Sequence, residues 1–210
     1  MTLNNSTSEL AGQYQLRPMR MVEVEAVVHV HMSSFANFFL TFLGTAFLKE
    51  LYAGTINDSS GIAIVAEFDG AVCGFVTGTV ASSGFYRRLI LQRWWKFGLA
   101  CVTPVIKRPA IVPRLLRAFT MPGQTAHKQG CGTLMSIAVS PDAKGKGIGR
   151  VLVLAFLREA ARRGVKQVDL TTDAVGNEAV NGFYADLGFV CERVFTTPEG
   201  REMREWVYFI

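Results

Sequence analysis

The stretch from Met135 to Ala160, MSIAVSPDAKGKGIGRVLVLAFLREA, constrains the fold more than any other: it specifies a strand, a tight turn and a helix in that order. The apolar run Leu134 to Val139 has strand length and stops at Ser140-Pro141-Asp142, since proline cannot keep a central strand paired. Lys144-Gly145-Lys146-Gly147-Ile148-Gly149-Arg150 then sets three glycines and three cations directly before a long run of helical periodicity. The first amides of a helix lack intrahelical acceptors and carry partial positive charge. Glycines let an anion approach them, and the cations add net charge. The stretch therefore predicts a phosphate-binding turn. A P-loop needs Gly-x-x-x-x-Gly-Lys-Ser/Thr, which the chain lacks. Dinucleotide binding comes closer: Gly145 and Gly147 match its first two glycines, and Asp169 stands about twenty residues on, where an acidic ribose ligand belongs. The third glycine should be at 150, however, which is Arg150, and Gly149 is one place early.

On either side of this stretch the pattern alternates between strand and helix. Tyr14 to Pro18 reads as a short strand, followed by an acidic helix start at Glu23 and Glu25 and an apolar helix to about Phe35. A second helix follows Gly44, with Phe47, Leu48 and Leu51 at core spacing. Ile62 to Phe68 and Ala71 to Val80 flank Asp69-Gly70, which predicts an antiparallel hairpin. Downstream, Arg162-Arg163-Gly164 caps the central helix, and Lys166 to Thr172 is a strand that a helical crossover places parallel to the first. Asn177 to Leu187 is helical, with Val180, Phe183, Tyr184 and Leu187 on one face. A hairpin of Phe189 to Thr196 and Met203 to Ile210 closes the chain.

Positive charge is local. Gly84 to Thr120 holds eight basic residues and no acidic one, which leaves 14 basic and 17 acidic residues elsewhere. The segment opens FYRRLILQRWWKFGLAC, where Tyr86, Ile90, Trp94, Phe97 and Cys101 form one apolar stripe opposite Arg88, Gln92 and Lys96. Pro104, Pro109 and Pro113 then predict a broken path, and Arg114 to Phe119 a second short helix. Such a patch suits a lid or packing element first, a membrane surface second and nucleic acid last. The longest uncharged run, Ala26 to Leu48, is interrupted by His29, His31, Ser33, Ser34, Asn37, Thr41 and Gly44, which argues against a membrane span.

Half of the 210 residues are hydrophobic, enough for one sizeable core. The expected organisation is a flexible tail over residues 1–12 and a single domain over 13–210 with a basic helical insert at 84–122. The four cysteines have no paired spacing, so neither a zinc site nor a disulfide framework is expected. With an N-terminus unlike a signal peptide, they point to the cytoplasm.

The pairing of AKGKGIG with the later NEAVNGFYADLGF resembles the GCN5-related N-acetyltransferases, the GNAT superfamily. The resemblance rests on a strand-borne IAVSP, a turn of the form Arg/Gln-x-x-Gly-x-Gly/Ala, and a later helix carrying Asn177, Phe183-Tyr184 and Gly188-Phe189 in order. It implies an α/β fold of the α+β type: a mixed, mostly antiparallel central sheet with helices on both faces and strands splayed at the cofactor site. It implies acetyl-coenzyme A as donor, with the amides of Lys144, Gly145, Lys146, Gly147, Ile148 and Gly149, flanked by Arg150, holding the pyrophosphate. Ile137, Ala138 and Val139 would pair with the pantetheine arm, and Asn177 and Tyr184 would sit near its sulfur end. Lys144 departs from the usual arginine or glutamine.

For acetyl transfer, a backbone N–H near Ala138 or Val139 is the candidate oxyanion donor and Tyr184 the candidate acid. Reference pKa values near 10 and 8.5 make that proton transfer uphill by about 2 kcal/mol, so Tyr184 also suits a positioning role. Many relatives carry an acid on the strand before the turn, but here Ser136 is its polar side chain. The base is left among His29, His31, Glu67, Asp69 and Asp173. The acceptor wall falls on HMSSFANFFLTFLG, with His31, Phe35, Phe38 and Phe39 as candidates and Phe42 beside them. The acceptor expected is a primary amine on a small molecule such as an amino sugar. Protein acetylation is the alternative, as is a non-catalytic acyl-coenzyme A sensor. No metal is expected, and homodimerisation is left open.

Overall fold

A hairpin at Asp69-Gly70, both at positive φ (48° and 77°), joins β2 (Gly61–Phe68) to β3 (Ala71–Thr79). The computed structural model describes residues 14–35, 39–107 and 130–210, with backbone alone at 39 and 102–107. Around the hairpin lie β1 (Gln15–Pro18), β4 (Cys131–Val139), β5 (Gln167–Asp173), β6 (Val190–Thr196) and β7 (Glu202–Phe209). They form one sheet in the order β1-β2-β3-β4-β5-β7-β6. Every neighbouring pair is antiparallel except β4 and β5, whose helical crossover makes them parallel.

Helices cover both faces, as the resemblance implies. On one side α5 (Ile148–Arg162) buries Leu152, Val153, Phe156 and Ala160 at helical spacing, with Tyr184 from α6 (Glu178–Asp186) in the same core. Gly78 on β3 permits this packing, since a Cβ there would stand 2.7 Å from the Phe156 ring and 2.2 Å from the Thr133 carbonyl oxygen. On the other side α1 (Val24–Ser34), the single turn α2 (Phe39–Phe42) and α3 (Gly44–Asn57) enclose Val27, Leu48, Tyr52 and Phe75. The cap of α5 matches expectation: Gly164 takes φ of 80° and the Val165 amide reaches back to the Ala160 carbonyl at 3.1 Å.

The basic segment forms α4 (Phe85–Lys107), packed against α3; its second half buries the predicted Phe97 and Cys101, while its first half turns a different face inward. Phe85, Leu89, Phe97 and Cys101 are buried, whereas Tyr86 and Trp94 of the expected stripe are exposed. The cause is a break at Arg93 (φ −131°, ψ 21°), which resets the phase of a stripe that would otherwise drift around the helix. Leu91, Trp94, Trp95 and Leu99 consequently face outward. Pro104 does not end the helix, which runs on to Lys107. Pro109, Pro113, the expected helix at Arg114 to Phe119 and the tail at 1–12 lie outside the described residues. No described helix is long and apolar enough to cross a membrane.

Candidate active site

Although β4 and β5 run side by side, they pair only through Cys131, Gly132 and Thr133 opposite Gln167, Val168 and Asp169. Beyond that point both strands line a cavity of about 450 Å³. A β-bulge on β4 marks the change, since Leu134 and Ser136 face successive residues of β3 and leave Met135 without a partner there.

The pairing of β4 with β3 determines which of its amides face the gap. Ser140 N–H donates to the Cys73 carbonyl at 2.8 Å, so in an alternating antiparallel ladder the Ala138 amide also faces β3. The amides of Ile137 and Val139 therefore face the open side, and all three residues line the cavity. Ser34 Oγ donates to the Val139 carbonyl at 3.0 Å and ties the end of α1 to this strand.

At the near end of the cavity stands the glycine turn. Gly145 and Gly147 take φ of 76° and 74°, conformations costly for any residue with a Cβ. Val151 N–H bonds the Gly147 carbonyl at 3.2 Å, so the amides of Ile148, Gly149 and Arg150 precede the first intrahelical bond. Lys144, Lys146 and Arg150 are exposed and have no acidic partner among the described residues. A Cβ at Gly145 would meet nothing within 4 Å, so the turn is open to a ligand. Free amides, left-handed glycines and unpaired cations fit the pyrophosphate of coenzyme A, and the unpaired edge of β4 fits its amide arm.

Tyr184 lines the same cavity and is 5% exposed, with its ring edge-on to Phe183 and Phe189. Burial raises its pKa well above the ordinary tyrosine value, so the phenol stays protonated. Asn177 also lines the cavity, and its side chain makes a long 3.5 Å bond to the Asp173 carbonyl. The better-held amide is Asn181, which sequence reasoning did not single out. It accepts from Thr172 Oγ1 at 2.6 Å and donates to the Asp173 carbonyl at 3.1 Å, while Trp206 Nε1 donates to Thr172. These bonds fix α6 to the end of β5.

The candidate bases separate. His29 is exposed on α1, Asp69 occupies the hairpin turn and Glu67 is engaged by Arg17 on the outer strands; none lines the cavity. His31 and Asp173 do. Asp173 is gripped by Arg201, from the turn before β7, whose Nη2 lies 2.6 Å from Oδ1 and 2.8 Å from Oδ2. His31 is 2% exposed, and its Nδ1 lies 2.6 Å from the Tyr52 hydroxyl. Burial pushes the His31 pKa down to about 4, so the ring is neutral near pH 7. Tyr52 and Arg201 carried no signal in the sequence: one reads as a core aromatic and the other as a turn cation.

Phe35 lines the cavity, joined by Leu40, while Phe38 and the side chain of Phe39 lie outside the described residues. No described residue of α4 lines it, and three of its cations are already paired, Arg93 with Glu50 at 2.6 Å, Arg88 with Asp58 at 3.3 Å and Lys96 with Glu50 at 4.0 Å. The described part of this helix therefore adds no side chain to the cavity wall.

Comparison with known proteins gives a match to the acetyltransferase (GNAT) family model over residues 25–189. The chain is 36% identical over 74 residues to the [ribosomal protein bS18]-alanine N-acetyltransferase of Escherichia coli K12, covering 33% of this chain and 49% of that protein. It is 40% identical over 58 residues to a mycothiol acetyltransferase of a Nocardioides species, covering 28% of this chain and 19% of that protein. The matched segments thus span about half of one relative and a fifth of the other. Among solved structures, the PaiA N-acetyltransferase of Thermoplasma acidophilum in complex with coenzyme A superposes with a TM-score of 0.58. The identity is 15%, and the superposition covers 93% of this chain and 99% of that one, so the likeness is one of fold.

Proposed function

The chain belongs to the acetyltransferase (GNAT) family, whose acetyl donor is acetyl-coenzyme A, and from that premise we propose that it acetylates a primary amine on a small molecule. The observation that carries this reading is the continuity of one cavity. It runs from Gly149 at the helix start, past the unpaired edge of β4, to polar side chains on α1 and β5. Donor and acceptor can thus meet inside the splayed sheet.

When bound, acetyl-coenzyme A supplies a thioester carbonyl that an amine can attack. The amides of residues 145–150, with Lys144, Lys146 and Arg150 around them, hold the phosphates. The edge of Ile137 to Val139 would pair with the amide arm, and Asn177, which lines the same cavity, would stand toward its sulfur end. Val139 N–H is favoured over Ala138 N–H as the oxyanion donor, because the Ala138 amide is turned toward β3. Tyr184 offers its phenolic proton as a hydrogen bond to the departing sulfur. With its pKa raised by burial, it stabilises that charge without giving up the proton.

On the acceptor side, Phe35, Leu40 and Met203 are apolar, and the Asp173–Arg201 pair is close to neutral as a unit. An uncharged or weakly charged amine suits this wall. A protein α-amine is the second reading, favoured by the ribosomal-protein alanine on which the Escherichia coli relative acts.

The test is to incubate the protein with acetyl-coenzyme A and a panel of amino sugars, polyamines, free amino acids and alanyl peptides while following free thiol. Release that depends on a small amine supports the proposal, and release confined to alanyl peptides replaces it with the second reading. Tight coenzyme A binding with no amine-dependent release across the panel overturns acetyl transfer.

A further inference from the structure

The cavity wall opposite the glycine turn contains a buried nitrogen that the fold leaves bare. His31 is sandwiched by aromatic rings, with the Phe35 centroid at 4.8 Å and Phe75 stacked at 6.5 Å. Its Nδ1 is taken by Tyr52, and the Tyr52 hydroxyl is in turn hydrogen-bonded with Ser136, the polar side chain on the segment Leu134 to Val139. Nε2 is buried and has no hydrogen-bond partner among the described residues. Folded proteins rarely tolerate an orphaned polar atom unless something outside the fold satisfies it. His31 and Ser136 both line the cavity in which an acceptor would bind.

Resting on the acetyl-transfer reading above, we propose that His31 Nε2 is the base that receives the acceptor amine's proton, and that Tyr52 is the positioning residue that keeps Nε2 bare. In this proposal Nδ1–H donates to the Tyr52 oxygen, which leaves the lone pair on Nε2. As the amine nitrogen forms its bond to the acetyl carbon, the C–S bond breaks and its electron pair leaves on sulfur. The nitrogen's surplus proton moves to Nε2. The resulting imidazolium later loses one proton and the sulfur gains one, directly or through solvent, so amine and thioester become amide and thiol with nothing left over. Burial does not defeat this role. Attack makes the amine nitrogen strongly acidic, and a weak neutral base is then sufficient.

The first measurement is ¹⁵N NMR of the ring-labelled full chain without donor, which reports the His31 tautomer directly. The proposal expects Nδ1–H with Nε2 bare, and an Nε2–H tautomer overturns it. Tyr52→Phe is expected to shift the population toward Nε2–H and to lower kcat by about tenfold with coenzyme A affinity retained. His31→Gln is expected to lower kcat by about 10²-fold at unchanged coenzyme A affinity by calorimetry, and free imidazole is expected to restore part of the rate of His31→Ala. Variants that keep coenzyme A affinity and turn over within threefold of wild type overturn the role of His31 alone. A wild-type protein with no amine-dependent thiol release overturns acetyl transfer and this proposal with it.

Discussion

Arg201 closes on Asp173 through two nitrogens, Nε at 3.1 Å and Nη2 at 2.6 Å from the same carboxylate oxygen, at the end of β5 where the cavity opens. A carboxylate held on both oxygens by one guanidinium serves to orient the end of β5 and the turn before β7. Asp173→Asn is therefore expected to change kcat by less than about fivefold, whereas loss of a general base costs about 10²-fold. Steady-state kinetics with acetyl-coenzyme A and the best amine of the panel decide between them. A large fall in kcat would transfer the base from His31 to Asp173.

Tyr184 presents the opposite case, a group that keeps its proton too well. Burial raises its pKa, which adds to a transfer already uphill by about 2 kcal/mol between the reference tyrosine and thiol. One hydrogen bond to the charged sulfur is worth about 1.5 kcal/mol. Tyr184→Phe should accordingly lower kcat by roughly tenfold while coenzyme A affinity holds. A drop of 10²-fold or more would instead show that the proton is fully transferred in the rate-limiting step.

The glycine turn gives a backbone prediction. Gly147 stands at φ of 74° immediately before α5, and a side chain there costs about 1–2 kcal/mol or moves the turn. Gly147→Ala should weaken coenzyme A binding by about tenfold or more, measured by calorimetry. Gly149→Ala is the control. Its Cβ would meet Phe183 at 3.6 Å, an ordinary contact, so the fold should tolerate it.

These predictions differ in how far the sequence alone could have supported them. The turn, the Asp69-Gly70 hairpin and the Gly164 cap were legible because each is a local device, in which glycines adopt positive φ within a few residues of the element they terminate. The choice of Val139 over Ala138 needed the register of β4 on β3, which depends on residues more than sixty positions away. The bond between His31 and Tyr52 spans 21 positions and two helices, and no periodicity encodes it. On α4 the pattern held for Phe97 and Cys101 but misled before Arg93, because a helical wheel assumes one continuous helix and the break there gives the two halves separate phases.

The last prediction concerns the far edge of the sheet. Arg17 on β1 pairs with both Glu23 and Glu67, and Glu23 also accepts from the Arg20 amide at 2.8 Å. The Arg17 guanidinium, chiefly, holds the nearly buried Glu23 carboxyl down at about 2, against about 4.5 when unfolded. A carboxylate depressed in the folded state contributes its stability fully above the unfolded pKa and loses it as pH falls through the folded one. Glu23→Gln should therefore destabilise the protein by about 2 kcal/mol at neutral pH, since it leaves Arg17 short of one partner while Glu67 remains. Urea unfolding of wild type and variant at constant ionic strength should show that gap intact at pH 7 and shrinking below about pH 4.5 as the wild-type carboxylate is protonated. A gap of constant size down to about pH 3 would assign the loss to packing around the start of α1, because only a charged Glu23 can make the difference depend on pH.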